Sequence, residues 1–459
     1  MPTSSIPRLL ISAVSSGSGK TTITSGLLRC LARRGLKVVA YKCGPDYIDP
    51  MFHRSVLGTP CRNLDLFFST EEQIKTLLGE SSQQADIAVL EGVMGYYDGV
   101  AGKTDQASAY HLASATDTPT VLIADGRGTS LTLAAVVKGI IDFREKSQVA
   151  GVIINRCSKS AYMLLAGIIQ DECGVPVLGY IPADPDMALE SRHLGLVTAG
   201  EVEDLQQRID RAADALEETV DIDALVQLAQ GAPDIFYEPA AIEKVATNAP
   251  VIAVAQDDAF CFYYDESLET LRRMGAQLIE FSPLSDVSIP EQADAIYLGG
   301  GYPELHAERL AVNESMRASV KEAFEAGMPL FAECGGFLYL KESLTDVEGN
   351  TWPMAGVLKG GSCYTGKLSR FGYVEMTALR GSLIADEGET FKAHEFHYYD
   401  CEENGESFHA QKPLAKRNWD CGITASNLYA GFPHLYFPSC LNVARKFVTA
   451  AARFKEARS

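Results

Sequence analysis

The chain has 459 residues, 46% hydrophobic and 22% charged, with a formal net charge of −20, a length beyond one hydrophobic core and sufficient for two large domains. That composition excludes a disordered or fibrous chain, and the acidity excludes sequence-independent binding to nucleic acid or an anionic membrane surface, both of which need cationic surface. Eleven cysteines without a Cys-x-x-Cys pair, no apolar run of bilayer length and no separable leader ahead of the first motif lead to the expectation of a cytoplasmic protein with reduced thiols.

The first element is the apolar run Leu9-Leu10-Ile11, which feeds Ser15-Ser16-Gly17-Ser18-Gly19-Lys20-Thr21-Thr22 and then a helical pattern. Strand, glycine-rich turn and helix in that order make a phosphate cradle. Backbone N–H groups from Ser16 to Thr22 close around phosphate oxygens, the lysine neutralises the outer phosphates, and the next hydroxyl holds Mg²⁺. Lys20 and Thr21 fit those two roles. Val14 stands where the full pattern has a glycine, but the strand before and the helix after supply the confirming context, so ATP or GTP is the expected ligand.

Strand-like runs then alternate with helical ones up to about residue 235: Val38–Tyr41, Ile87–Leu90, Thr120–Ala124, Val152–Asn155 and Val177–Ile181, with helices around 22–34, 105–115, 130–143 and 160–173. This alternation predicts an α/β fold, a doubly wound and mostly parallel sheet with functional groups just past the carboxyl ends of its strands. Two strand ends carry acidic loops. Lys42-Cys43-Gly44-Pro45-Asp46-Tyr47-Ile48-Asp49-Pro50 follows the second strand, and Glu91-Gly92-Val93-Met94-Gly95-Tyr96-Tyr97-Asp98-Gly99 the third. Mg²⁺ takes few carboxylates plus phosphates and water, so Thr21, Asp46 and Glu91 form a candidate set. Any one of these carboxylates alone reads better as a helix cap or a water-facing loop group; two such loops beside a phosphate cradle favour a site.

Residues 231–250 break the periodicity, placing a linker at 236–250 between an ATP-dependent unit at 1–235 and a second α/β unit at 251–459. That unit opens with Val251–Ala255, Gln277–Phe281, Ala295–Leu298 and Leu330–Ala332 and ends in a strand-rich tail. Its fourth strand runs into Glu333-Cys334-Gly335-Gly336. A sulfur nucleophile at a tight strand-to-helix turn needs small neighbours, and a helix terminus beneath it is expected to favour the thiolate. Leu298-Gly299-Gly300-Gly301-Tyr302-Pro303-Glu304 is a second glycine turn, so Gly300, Gly301 and Gly335 are the expected oxyanion donors. His434 is the candidate base. In His394-Glu395-Phe396-His397 the histidines are three apart in a β-like tract, which does not match a zinc helix; these two histidines and Arg370 receive no role from the residues alone.

The string from Lys42 to Pro50 resembles the signature of the cobyrinate a,c-diamide synthase family, within the dethiobiotin-synthetase-like group of phosphate-loop enzymes. The Glu91–Gly99 loop and Arg192-His193-Leu194-Gly195-Leu196 support the same family. The second unit resembles a class I glutamine amidotransferase domain of the cobyrinate and cobyric acid branch. The resemblance implies that Lys42 steadies phosphate, that Asp49 and Asp98 orient substrate or metal, and that Asn155 reads the adenine edge. It also implies amidation of the a and c carboxylates of cobyrinate by ATP and L-glutamine through acyl phosphates, with Mg²⁺, in cobalamin synthesis. Hydrogenobyrinate and nickel sirohydrochlorin are alternative substrates, a ParA- or MinD-type ATPase switch is a remoter reading, and a homodimer is left open. Ordinary members of the amidotransferase class carry a glutamate two residues after the histidine; here that position is Tyr436.

Overall fold

The computed structural model describes residues 2–187, 189 and 199–458, with the side chains of 199–202 left aside; the Arg192–Leu196 motif lies outside the described residues. The chain divides into two compact units, Met1–Ala240 and Ala241–Ser459, and the division falls inside the segment read as a linker.

Seven strands build the main sheet of the first unit: β1 (Arg8–Ala13), β2 (Val38–Cys43), β3 (Cys61–Leu64), β4 (Ile87–Glu91), β5 (Thr120–Asp125), β6 (Val149–Asn155) and β7 (Val177–Tyr180). All pair in parallel, in the order β3-β2-β4-β1-β5-β6-β7. Every residue of β1 is buried, which is why it reads as a continuous apolar run rather than an alternating one. Helix α1 (Lys20–Arg33) follows β1 directly and buries Ile23, Leu27 and Leu31, one face at i, i+4, i+8, among Leu9, Ile11, Val121 and Ile123. The connection from β1 leads to β2 on the far side of β4, while β5 lies on the other side of β1, so the carboxyl ends of β1, β2 and β4 open into one crevice. Several elements escape the sequence reading, the helices Ile48–Leu57, Ala199–Thr219 and Ile222–Gln230 among them. Strand β3 is a four-residue edge strand, Cys-Arg-Asn-Leu, with no legible period, and the helix Glu71–Ser81 is set by a Thr70–Gln73 capping box.

The second unit holds β8 (Val251–Ala255), β9 (Gln277–Phe281), β10 (Ala295–Leu298), β11 (Leu330–Glu333), β12 (Arg370–Ala378), β13 (Thr390–His397), β14 (Phe408–Gln411), β15 (Asn418–Cys421), β16 (Ile423–Ala425), β17 (Leu428–Gly431) and β18 (His434–Leu435). One sheet runs β9-β8-β10-β11-β17-β16, parallel except for its last pair; another runs β15-β14-β12-β13-β18, wholly antiparallel. Short strands at Ser343–Thr345, Thr351–Pro353, Gly361–Tyr364 and Tyr399–Cys401 form a further sheet. Buried rings fill the unit's core: Phe331 packs against Tyr297 (5.2 Å between centroids), Tyr429 (4.8 Å) and Phe447 (5.4 Å). β17 lies beside β11, and the chain then turns into β18, where His394 and His434 stand opposite each other in register.

Candidate functional site

Residues 15–19 form the turn between β1 and α1. Gly19 caps the helix at φ +91°, and a Cβ there would lie 2.3 Å from Asn155 Nδ2, so both backbone and space require glycine. The Asn155 amide is engaged by this loop: Nδ2 donates to Ser18 O at 2.7 Å and Oδ1 accepts from Arg156 N at 2.9 Å. The side chain read in the sequence as an adenine contact also braces the phosphate loop. Arg156 adds a second brace, donating to Gly17 O at 2.8 Å and to Asp125 Oδ2 at 2.6 Å. Lys20 Nζ donates to the carbonyls of Ser15 and Met94. Burial, and next the charge on Lys42, push its pKa down to about 8.

Strand-end convergence brings the acidic loops together as expected. Thr21 donates to Glu91 Oε1 at 2.7 Å, Lys42 Nζ donates to the same oxygen at 2.8 Å and to Asp49 Oδ2, and Asp46 Oδ2 stands 4.0 Å from Lys42. Burial opposes the Lys42 charge, but Asp49, Glu91 and Asp46 outweigh it and hold its pKa well above the ordinary range. Burial likewise opposes ionisation of Glu91, and Lys42 with His53 reverses that, so Glu91 stays an anion. His53, Nε2 3.4 Å from Glu91 Oε2, is a member the sequence reading missed; it sits four residues after Asp49 on the helix Ile48–Leu57, and that spacing was the available signal. Asp46 also caps this helix, accepting from Ile48 N (2.8 Å) and Asp49 N (3.2 Å). Asp98 closes its own loop by accepting Gly95 N at 2.8 Å.

In the second unit Cys334 adopts φ +46°, ψ −101° between β11 and a short helix, Gly335–Leu340. This is the strained elbow expected of a projecting nucleophile. The glycine turns converge on it: a Cβ on Gly335 would meet Gly301 N at 3.1 Å, and a Cβ on Gly300 would meet His434 Cε1 at 2.5 Å. The expected thiolate is corrected. Burial and then Glu304 push the Cys334 thiol well up, and the Gly335 N–H offsets only part of this, because a helix of six residues supplies little dipole. Burial, with His397 second, pushes His434 down to about 3; at neutral pH the pair is thiol and imidazole.

Further buried groups brace this site. Glu333 accepts Leu435 N at 2.8 Å and the Tyr297 hydroxyl at 2.9 Å; burial pushes its pKa up to about 8. His397 donates through Nδ1 to Tyr399 O at 2.6 Å, faces Glu395 Oε2 through Nε2 at 3.1 Å, and stacks on Phe432 at 3.8 Å. The Glu395 carboxylate accepts Trp419 Nε1 at 3.2 Å, and Arg370 lies over the Trp419 ring. His394, in contrast, faces His434 across the ladder, and burial, then His434, push it down to about 3. Glu395 and His397 lie on one strand face, in a stretch read in the sequence as a rejected metal motif that resembles a family signature near the amidotransferase site. Tyr436 sets its ring edge-on to Tyr264, 5.2 Å between centroids.

Two family models match the chain: a CobQ/CobB/MinD/ParA nucleotide binding domain over residues 9–197 and a CobB/CobQ-like glutamine amidotransferase domain over residues 251–439. Relatives match along nearly the full length. A cobyrinate a,c-diamide synthase of Caldanaerobacter subterraneus is 38% identical over 449 residues, 97% of this chain and 98% of that protein. Its namesake in Salmonella typhimurium is 39% identical over 450 residues, again 97% and 98%, and the one in Listeria monocytogenes serotype 4b is 39% identical over 436 residues, 94% and 96%. With a nucleotide-binding unit and a glutamine amidotransferase unit in this order, the chain belongs to the cobyrinate a,c-diamide synthase family.

Proposed function

We propose that this chain is a carbon–nitrogen ligase that amidates the a and c carboxylates of cobyrinate in cobalamin biosynthesis, consuming one ATP and one glutamine for each amide. In the first unit the 15–22 loop holds the ATP phosphates, with Lys20 against the outer ones. Thr21 and Glu91, 2.7 Å apart at the mouth of the loop, suit Mg²⁺, with Asp46 as a further oxygen donor; when bound, the cation withdraws charge from the phosphate oxygens. Lys42 presents a fixed positive charge to the transferring phosphoryl group, and Asp49 and Asp98 orient the acceptor. A substrate carboxylate oxygen attacks the γ-phosphorus, ADP leaves, and an acyl phosphate results.

In the second unit Cys334 Sγ attacks the glutamine carboxamide carbon while His434 takes the thiol proton. N–H groups of the Gly300–Gly301 turn and of Gly335 donate to the oxyanion. His434 then returns the proton to the leaving nitrogen, ammonia departs, and water hydrolyses the thioester to glutamate. Ammonia displaces phosphate from the acyl phosphate to give the amide.

The observation that carries this reading is that the chain builds both half-sites from its own residues: Thr21, Glu91 and Lys42 in contact at the phosphate loop, and the Cys334 elbow with His434 packed against Gly300. The test is Cys334→Ser assayed with cobyrinate, ATP and either glutamine or ammonia, with products weighed by mass spectrometry. Loss of the glutamine reaction with diamide still formed from ammonia is expected. Glutamine-dependent product from Cys334→Ser would overturn the role of the thiol, and conversion of hydrogenobyrinate or nickel sirohydrochlorin in preference to cobyrinate would overturn the substrate.

A further inference from the structure

Glu333 ends β11 immediately before the nucleophile and is buried. The rest of that strand, Leu330-Phe331-Ala332, is apolar and packed among rings, so a carboxyl group there is expensive unless it is fully hydrogen-bonded. It is bonded through both oxygens, and the partners are informative. Oε1 accepts the backbone N–H of Leu435, the neighbour of His434 on the two-residue strand β18, at 2.8 Å. Oε2 accepts the Tyr297 hydroxyl at 2.9 Å. The Tyr297 ring in turn packs edge-on against Tyr263 at 5.1 Å, and the Tyr263 hydroxyl accepts the Gly299 N–H, the first residue of the glycine turn, at 2.8 Å. One carboxyl group therefore hydrogen-bonds the nucleophile strand to the histidine strand and to Tyr297, and the ring packing of Tyr297 on Tyr263 extends that frame to the glycine turn.

Glu333 itself bonds to Leu435 N and the Tyr297 hydroxyl, neither of which is a reacting group. We infer that Glu333 is a positioning residue of the glutaminase step: it sets the separation between Cys334 and His434 by holding the backbone on which His434 sits. The inference rests on the reading of Cys334 and His434 as nucleophile and base. Its physical content is that proton transfer from sulfur to imidazole tolerates little displacement, whereas substrate binding tolerates more, so loss of the tie acts on turnover rather than on glutamine affinity.

The test uses the full chain with two variants of matched size. Glu333→Gln keeps an acceptor for the Leu435 N–H, and Glu333→Met keeps the volume but removes both bonds. Glu333→Met is expected to lower kcat for glutamine hydrolysis on the order of a hundredfold, with KM for glutamine and the ammonia-dependent synthesis rate unchanged, and to slow trapping of Cys334 by a glutamine-analogue diazoketone in parallel. Glu333→Gln should stay within about threefold of the parent, since a neutral acceptor replaces a like one. Equal kcat in the Met and Gln variants overturns the inference, as does a Met variant whose defect lies in KM. Should Glu333→Met not fold, Tyr297→Phe decides: a loss of kcat at constant KM supports the frame, and an unchanged kcat overturns it. Cys334→Ser is measured in the same series; if it still hydrolyses glutamine, the underlying nucleophile reading fails, whatever Glu333 does.

Discussion

Replacing Gly300 by alanine tests whether His434 works from the place it occupies in the fold. The added methyl carbon would lie 2.5 Å from His434 Cε1 and 3.3 Å from Cβ and Cδ2 of Phe262, whereas carbon atoms rest at about 3.5 Å or more. The imidazole must then retreat by about 1 Å. Gly300 is not among the positive-φ residues, so alanine adds bulk without backbone strain. A displacement of that size in a reacting group lowers the rate on the order of a hundredfold, or about 2.7 kcal/mol of barrier. Overpacking adds about 1–3 kcal/mol of destabilisation in the second unit. The assay compares glutamine hydrolysis with ammonia-dependent synthesis in one preparation, alongside thermal unfolding. Hydrolysis should fall about a hundredfold and ammonia-dependent synthesis should persist. A folded Gly300→Ala with the parent's glutaminase rate would refute the placement of His434 as the base.

Lys20→Ala should remove synthesis from both nitrogen sources by about two to three orders of magnitude, since carboxylate activation precedes amide formation; ATP-dependent amidation with ammonia at the parent rate would contradict the phosphate-loop reading. Glu91→Gln should do the same and also destabilise the first unit by about 3–5 kcal/mol in denaturant titration, because Lys42 loses its buried counter-charge; equal stability would mean that Asp49 alone holds Lys42. Asp98→Asn should let half-amidated product accumulate, seen by mass, if Asp98 lies beside the acceptor; a normal diamide yield would leave it a loop closure on Gly95. His394 and His434, both pushed down to about 3 from 6.5, take up protons on unfolding, so the second unit is fully stable above pH 6.5 and loses stability as pH falls from there towards 3. At pH 5 each should subtract about 2 kcal/mol, and His394→Phe should recover about that much in acid titrations followed by circular dichroism; an unchanged acid midpoint counts against it.

The parts legible in the sequence were those set by local pattern. β1, β4 and β5 announce themselves as buried apolar runs, and the convergence of Thr21, Lys42, Asp46, Asp49 and Glu91 follows from the rule that parallel strands gather their carboxyl-end loops. Cys334 was legible because the paired glycines after it allow the elbow it adopts. What stayed hidden depends on burial, which a sequence does not state. A helix N-terminus argues for a thiolate at Cys334, yet desolvation at a buried sulfur is the larger effect. Asn155 reads at a strand end only as a ligand contact, and its bracing of the phosphate loop shows only in the close approach of Gly19. Glu333 had a sequence signal, a lone carboxylate closing an apolar strand, but only the fold says which backbone N–H it meets.

The two units use opposite electrostatic regimes, and the difference follows from their chemistry. Around the phosphate loop Lys42 and Glu91 are held charged against the effect of burial, each by the other and by Asp49 or His53, which would suit the proposed phosphoryl transfer, in which negative charge moves between phosphate oxygens. Around Cys334 every perturbed group is held neutral instead: the thiol and Glu333 pushed up, His394 and His434 pushed down. Forming a thiolate–imidazolium pair there from the resting state works against both shifts, at about 1.4 kcal/mol for each pKa unit. If Cys334 and His434 act as proposed, glutamine hydrolysis by the resting second unit is expected to be slow for that electrostatic reason. On the proposed mechanism, ammonia released with no acyl phosphate to receive it would be lost as ammonium, and a protonated resting thiol would limit that waste. With no charge pre-formed on either partner, the proton in that mechanism would cross from sulfur to nitrogen within the act of attack, which is where alignment by Glu333 and Gly300 is expected to matter.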